Sequence, residues 1–303
     1  MTFKRIIPLL VILLVATTKV QAETERFQIN VAASENLQTL AAYTRQIVQE
    51  AISEFEPYLG TPTGSLNFLI VSSADEMRRE LGALPPYWSA AVTIFPEGRV
   101  ILKSPTMAHT TLRRFRGSIQ HELVHLLHGR QVPLNLFPNW FTEGLAVYLT
   151  DEFDLAKRVV LSRAVARKRL IPLERLDEML RMDHVNAQLA YSQAASAIEF
   201  LVQVYGPAVI CQILQSMQEN KDFEKSLALV IGIGFADFPY YWQSYLGKHY
   251  RWIFLLDIQH ILWYLMPLLL IFAYLVVRRR NARRLQDMEE MEMLEDENSD
   301  QDY

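Results

Sequence analysis

The stretch HELVHLLH, residues 121–128, sets two histidines four positions apart with a glutamate directly after the first. A helix turns ~100° per residue, so His121 and His125 project from one face about one turn apart and can reach a single ion. Glu122 sits beside them; with both histidines as ligands it is placed to take a proton from a water rather than to coordinate. A catalytic zinc site needs a third protein ligand and one open position. The chain offers Glu143 in NWFTEGLAVY, with seventeen residues between it and His125. That interval lets one helix end near Gly129, a loop through Pro133 and Pro138 turn back, and a second helix bring Glu143 opposite the histidines. The expected centre is one zinc ion on His121, His125 and Glu143, with Glu122 as general base and a water whose pKa the ion lowers to about 7.

Other reactive-looking residues have plainer readings. His128 lies one turn past His125, and a fourth ligand is not expected of it. Arg113, Arg114 and Arg116 form a basic cluster read as a solvated helix face. Trp140 and Phe141 are packing anchors that aim Glu143, and Gly144 allows two helices to approach closely. Cys211, the one cysteine, falls in the apolar run AVICQILQSM and reads as a small buried side chain; no intramolecular disulfide can form.

The elements that must carry these residues make an α+β layout. RFQINVA and SLNFLIV read as strands on either side of an amphipathic helix, LQTLAAYTRQIVQEAISEFEPYLG, that ends near Gly60. Ser73 and Glu76 have capping-box spacing, so a helix starts there. AAVTIF and RVILKS, separated by Pro96-Glu97-Gly98, predict a hairpin. Beyond residue 107 the sequence reads almost wholly as helices: the metal-site helix, WFTEGLAVYLTDEFD, LDEMLRM, YSQAASAIEFLVQVYG, AVICQILQSMQEN and FPYYWQSYL. A strand-rich half is followed by a helical half.

His121-Glu122-Leu123-Val124-His125 followed by Trp140-Phe141-Thr142-Glu143-Gly144-Leu145-Ala146 resembles the gluzincin group of zinc metallopeptidases, the peptidase MA-like families, whose third ligand is a glutamate in a W-[FL]-x-E-G-[FL]-A pattern. The resemblance extends more loosely through AYSQAASAIEFLVQVYG and FEKSLALVIGIGFADFPYYWQSYL. It implies a thermolysin-like catalytic domain acting on protein or peptide substrates. It also implies a tyrosine downstream of the glutamate as oxyanion stabiliser: Tyr191 is the candidate and His184 the runner-up, against the reading of Tyr191 as a structural residue capping the next helix. An edge strand beside the cleft pairs with substrate in peptidases of this shape, and RVILKS is the candidate, with a purely structural strand as the competing account. The G-x-M-E-N motif of the aminopeptidase branch is missing, and the interval from His125 to Glu143 is one residue shorter than in that branch, so an endopeptidase is the expectation. The alternative is a catalytically silent scaffold or binding protein on the same fold.

The chain has 303 residues, half of them hydrophobic, and a net charge of −4, which does not indicate a nucleic-acid partner. Residues 1–22 have the three-part layout of an export signal: Lys4 and Arg5, an apolar stretch, then Val20-Gln21-Ala22. Residues 23–250 are then an exported domain, residues 251–277 a transmembrane helix with the uncharged run Ile261–Val277, and residues 278–303 a basic then acidic tail. A buried core helix is the rival for the span. Arg278, Arg279, Arg280, Arg283 and Arg284 orient the tail to the cytoplasm, which gives a single-pass protein of a bacterial inner membrane whose catalytic domain is periplasmic or extracellular. The acidic tail reads as disordered and is a candidate site for a cytoplasmic partner, with a solvated tail of no specific role as the alternative.

Overall fold

A computed structural model describes residues 27–82, 89–95, 98–256 and 258–299. The export-signal segment at residues 1–22 lies outside the described residues. The chain divides into two units, Met1–Arg251 and Trp252–Tyr303.

In the first unit, β1 (Phe27–Ala33) lies parallel to β2 (Gly64–Val71), and α1 (Gln38–Leu59) crosses between them. The buried face of α1, from Ile47 through Ala51, Phe55 and Leu59, follows helical spacing. β2 alternates in the same way, burying Leu66, Phe68 and Ile70. After β2 comes α2 (Ala74–Leu81), where the Ser73 hydroxyl accepts from the Glu76 N–H at 3.2 Å. The return half of the box is displaced by one residue, because the Glu76 carboxylate accepts from the Ser72 N–H.

The hairpin forms as β3 (Ala91–Ile94) antiparallel to β4 (Arg99–Lys103), and the sheet order is β1-β2-β4-β3. This corrects the expected edge. RVILKS is β4, an interior strand with Val100, Ile101 and Leu102 fully buried, and the free edge belongs to β3. Three consecutive buried residues are what a strand covered on both faces requires.

The helical half begins with α3 (Leu112–Gln131), whose N-cap Thr111 accepts from the Arg114 N–H. Then follow α4 (Asn139–Leu149), α5 (Leu155–Ala166), a 3₁₀ segment (Leu173–Arg181), α6 (His184–Tyr205), α7 (Ala208–Asn220), α8 (Phe223–Ile231) and α9 (Phe238–His249). The LDEMLRM helix is thus 3₁₀, and the helix expected through Asp154 stops at Leu149. Asp151 takes a left-handed φ of 55°, and Asp154 becomes the N-cap of α5, so about a turn and a half of expected helix is instead a break between two helices. Cys211 is half-buried on α7.

α3 packs on the sheet through β3 and β4 and on α4 across its other side, and α4 packs in turn on α6. Gly144 is the contact point of that last pair: a Cβ there would lie 2.6 Å from the Ala194 carbonyl oxygen. The close approach expected of this glycine is therefore made with α6, not with the histidine helix. Below α4 an aromatic cluster of Phe137, Trp140, Phe141, Phe223 and Phe238 fixes its position. Burial of each large side chain is worth ~1.5–3 kcal/mol. At the end of the unit, Tyr250 is buried against Arg158 and Glu199; Arg158 donates to Glu199 at 2.7 Å and to the Tyr250 hydroxyl at 2.6 Å, and that hydroxyl donates to Glu199.

The second unit contains α10 (Ile258–Ser299), 42 residues long with Pro267 inside it. The expected span runs from residue 251, whereas α10 starts at Ile258. No single helix among the described residues is long and apolar enough to cross a membrane; α6 and α7 would pass only as a pair bent by 103°, and their buried faces belong to the core. The acidic tail is not irregular as expected: α10 continues through it to Ser299, since Arg, Leu, Gln, Met and Glu are all good helix formers.

Replacing Gly144 by alanine presses a methyl group onto backbone. The variant is expected to lose about 1–3 kcal/mol of stability, read by denaturant unfolding, whereas Gly117→Ala, where a Cβ meets nothing within 4 Å, should not be destabilised.

Candidate metal centre

α3 brings His121 and His125 to the wall of an open cleft of about 910 Å³, with their Nε2 atoms 3.1 Å apart. Glu143 reaches them from α4: its two carboxylate oxygens lie 3.7 Å from His121 Nε2 and 3.6 Å from His125 Nε2. These are the distances an ion would impose. Donors ~2.0–2.1 Å from a tetrahedral zinc sit ~3.3–3.4 Å from one another. Among the described residues these three form the group of donors able to share a metal, their atoms all within 4.8 Å of one another. Two nitrogens and one oxygen suit zinc.

The electrostatics of the three are coupled. Burial disfavours a charge on His121, but hydrogen bonds and attraction from Glu143 and Glu152 outweigh it and raise His121 to about 10. Burial and then the neighbouring His121 push His125 down. Burial would raise Glu143, yet the bond to His121 and the two imidazoles bring it below the ordinary carboxylate range.

The sequence reading missed Glu152. Its carboxylate lies 3.3 Å from His121 Nδ1, delivered there by the break after Leu149. A proton on Nδ1 directed at Glu152 leaves the Nε2 lone pair facing His125 and Glu143, so the carboxylate fixes the ring's tautomer and orientation. A metal-ligating histidine nearly always needs such a partner, and that requirement was the available signal. His125 Nδ1 has no hydrogen-bond partner among the described residues.

Thr93 was also missed. It sits on the edge strand β3, lines the same cleft, and its hydroxyl donates to the Glu122 carboxylate. A third unanticipated residue, Asp177 of the 3₁₀ segment, supplies the cap that α4 lacks: Pro138 offers no side chain, and Asp177 accepts from the Trp140 N–H at 3.4 Å while its carbonyl receives the Asn139 amide.

Tyr191 lies one-third of the way along α6 rather than at a cap and lines the cleft close to Glu143. Burial first, then the charges of Glu143 and Glu152, hold its phenol protonated well above the ordinary range. His184 is the exposed first residue of α6 and is not part of the cleft wall. His128 is fully buried, its ring 4.4 Å from that of Phe137, and burial pushes it down to about 3, so it is a neutral member of the aromatic cluster.

Replacing Glu152 by Gln or Ala is expected to weaken zinc affinity about 10–100-fold, measured by competition with a chromophoric chelator; unchanged affinity would remove it from the ring's support. Because His121 titrates at about 10 without metal, a bound ion must displace its proton. Zinc affinity should fall about tenfold for each unit of acidification around neutral pH, with the released proton visible as a buffer-dependent heat in calorimetry. Affinity that is flat with pH there would show that the site holds no such proton.

No curated protein and no solved structure matches the chain. A sequence profile of the Peptidase MA superfamily matches residues 50–248, a segment that holds both helices of the centre, and the chain therefore belongs to the Peptidase MA superfamily.

Proposed function

We propose that the protein is a zinc-dependent endopeptidase held at a membrane. The observation that carries the peptidase reading is the convergence of His121, His125 and Glu143 on one point, with Glu122 held beside them by Thr93. A zinc ion on that triad would polarise the scissile carbonyl and bring a water to a pKa near 7. Glu122 then accepts the water's proton and passes it to the leaving amine, and the Thr93 hydroxyl keeps the carboxylate turned to the cleft. Tyr191, protonated throughout the working range, donates to the oxyanion. The outer edge of β3 runs along the cleft, where an extended substrate can add as a further strand. Such pairing suits an internal segment of a polypeptide, which supports endopeptidase action.

For the membrane, the support is the run Ile261–Val277, free of charge and followed by five arginines between residues 278 and 284. Within α10 its large side chains, among them Leu268, Leu269, Leu270, Ile271 and Phe272, are exposed. The run lies at the very bottom of the ~17–25 residues that cross a bilayer, and no single helix among the described residues qualifies as a span by itself, so the anchoring reading rests on the run's apolar composition and the arginines that follow it. With the arginines cytoplasmic, the catalytic unit faces the periplasm or the exterior. Its substrates are then proteins near that surface, and the acidic end of α10 is open to a cytoplasmic partner.

Glu122→Gln should abolish hydrolysis of a casein or peptide substrate while zinc remains bound at one ion per chain. Full activity in that variant refutes Glu122 as base. Tyr191→Phe should lower kcat about 10²–10³-fold with little change in thermal stability; equal turnover would assign the oxyanion elsewhere.

A further inference from the structure

The cleft does not end at the metal ligands. A second chamber of about 880 Å³ opens beside it, and the two share Ser89, Ala90, Ser118, Glu152 and Lys157 in their walls. One side of the second chamber is α3 itself. Arg114 precedes His121 by seven residues, which at ~1.5 Å and ~100° per residue sets it ~10 Å along the helix on nearly the same face. Between them lies Gly117, where a Cβ would meet nothing within 4 Å, so the helix wall is open at that point.

The charges of this chamber are unevenly committed. Arg116 pairs with Glu50 at 2.8 Å, and Lys157 donates to the Glu152 carbonyl oxygen at 2.6 Å. Glu152 is held by His121, and Asp154 caps α5 by accepting from the Lys157 N–H. Glu54 and Asp151 also line a smaller recess with Arg158, where burial and then the Asp151 charge push the Glu54 carboxyl up. Arg113 and Arg114 remain, both exposed along the α3 wall and with no side-chain partner among the described residues.

We propose that this chamber is an arm of the substrate cleft that receives an acidic residue of an extended polypeptide, with Arg113 and Arg114 as the specificity-determining residues. The inference rests on the peptidase reading. A strand advances ~3.3 Å per residue, so ~10 Å along α3 corresponds to an acidic residue about two to four positions from the scissile bond. A guanidinium pair suits a carboxylate because its planar donors match both oxygens.

The test uses the full-length, zinc-loaded protein carrying Glu122→Gln, so that bound peptide is not consumed. Fluorescein-labelled decapeptides of one sequence, with Glu, Gln or Lys two to four positions from the centre on either side, are titrated by anisotropy. Glu peptides should bind about tenfold more tightly than their Gln counterparts, and the preference should shrink in high salt. It should vanish when Arg113→Gln and Arg114→Gln are combined, and reverse toward Lys when both become Glu, with thermal unfolding confirming that each variant is folded. Equal binding of Glu and Gln peptides, a preference that survives both double variants, or no binding of any peptide overturns the proposal. A preference for Lys also overturns it and assigns the chamber to Glu54 and Asp151. Failure of the peptidase reading shows separately, as peptides that bind but are not cleaved when Glu122 is restored.

Discussion

Two imidazole nitrogens facing each other at 3.1 Å inside a protein wall need a hydrogen or a metal ion between them, and the carboxylates closing on them favour one that brings positive charge. Without a metal that cation is a proton, which is why Glu143 and Glu152 together raise His121 so far against the cost of burial. With a metal the same groups become ligands and support. Two carboxylates so near each other would repel without positive charge between them. The surrounding structure can be understood as what is needed to hold these four side chains where they are.

The devices that hold them, and Glu122 beside them, differ. The histidines need only the pitch of α3. Glu143 depends on α4 being docked at a fixed angle, through the aromatic cluster beneath Trp140 and Phe141 and through Asp177 at a helix start where proline leaves the N–H groups uncapped. Glu152 depends on a helix that stops at Leu149 and turns through a left-handed residue. Glu122, by contrast, is held across a domain layer, by a threonine on the sheet's edge.

Residues whose role follows from spacing along one helix, or from a helix-loop-helix interval, were legible in the sequence. His121, His125 and Glu143 are of this kind. The strands and most helices were also legible, because burial imposes its period on the sequence. Thr93, Asp177 and Glu152 were not, since each acts across a tertiary contact and none belongs to a pattern along the chain. The hairpin was foreseen but its edge was not: pairing of β4 with β2 is a parallel, long-range contact that the residue types Pro96-Glu97-Gly98 do not report. The helix end after Leu149 was obscured by residues compatible with continuing it, and only the αL conformation of Asp151 breaks it. The sequence of the acidic tail argued for irregular structure on charge alone, where helix propensity carried α10 to Ser299.

The contact at Gly144 locks α4 against α6, so Glu143 and Tyr191 stand on one tightly packed pair of helices. Both histidines and Glu122 belong instead to the layer formed by α3 and the sheet. An ion shared by the three donors is thus a rivet between two blocks of the fold, and stripping it would loosen the joint across the cleft itself. The same geometry that would hold the ion would also set how wide the jaws can open.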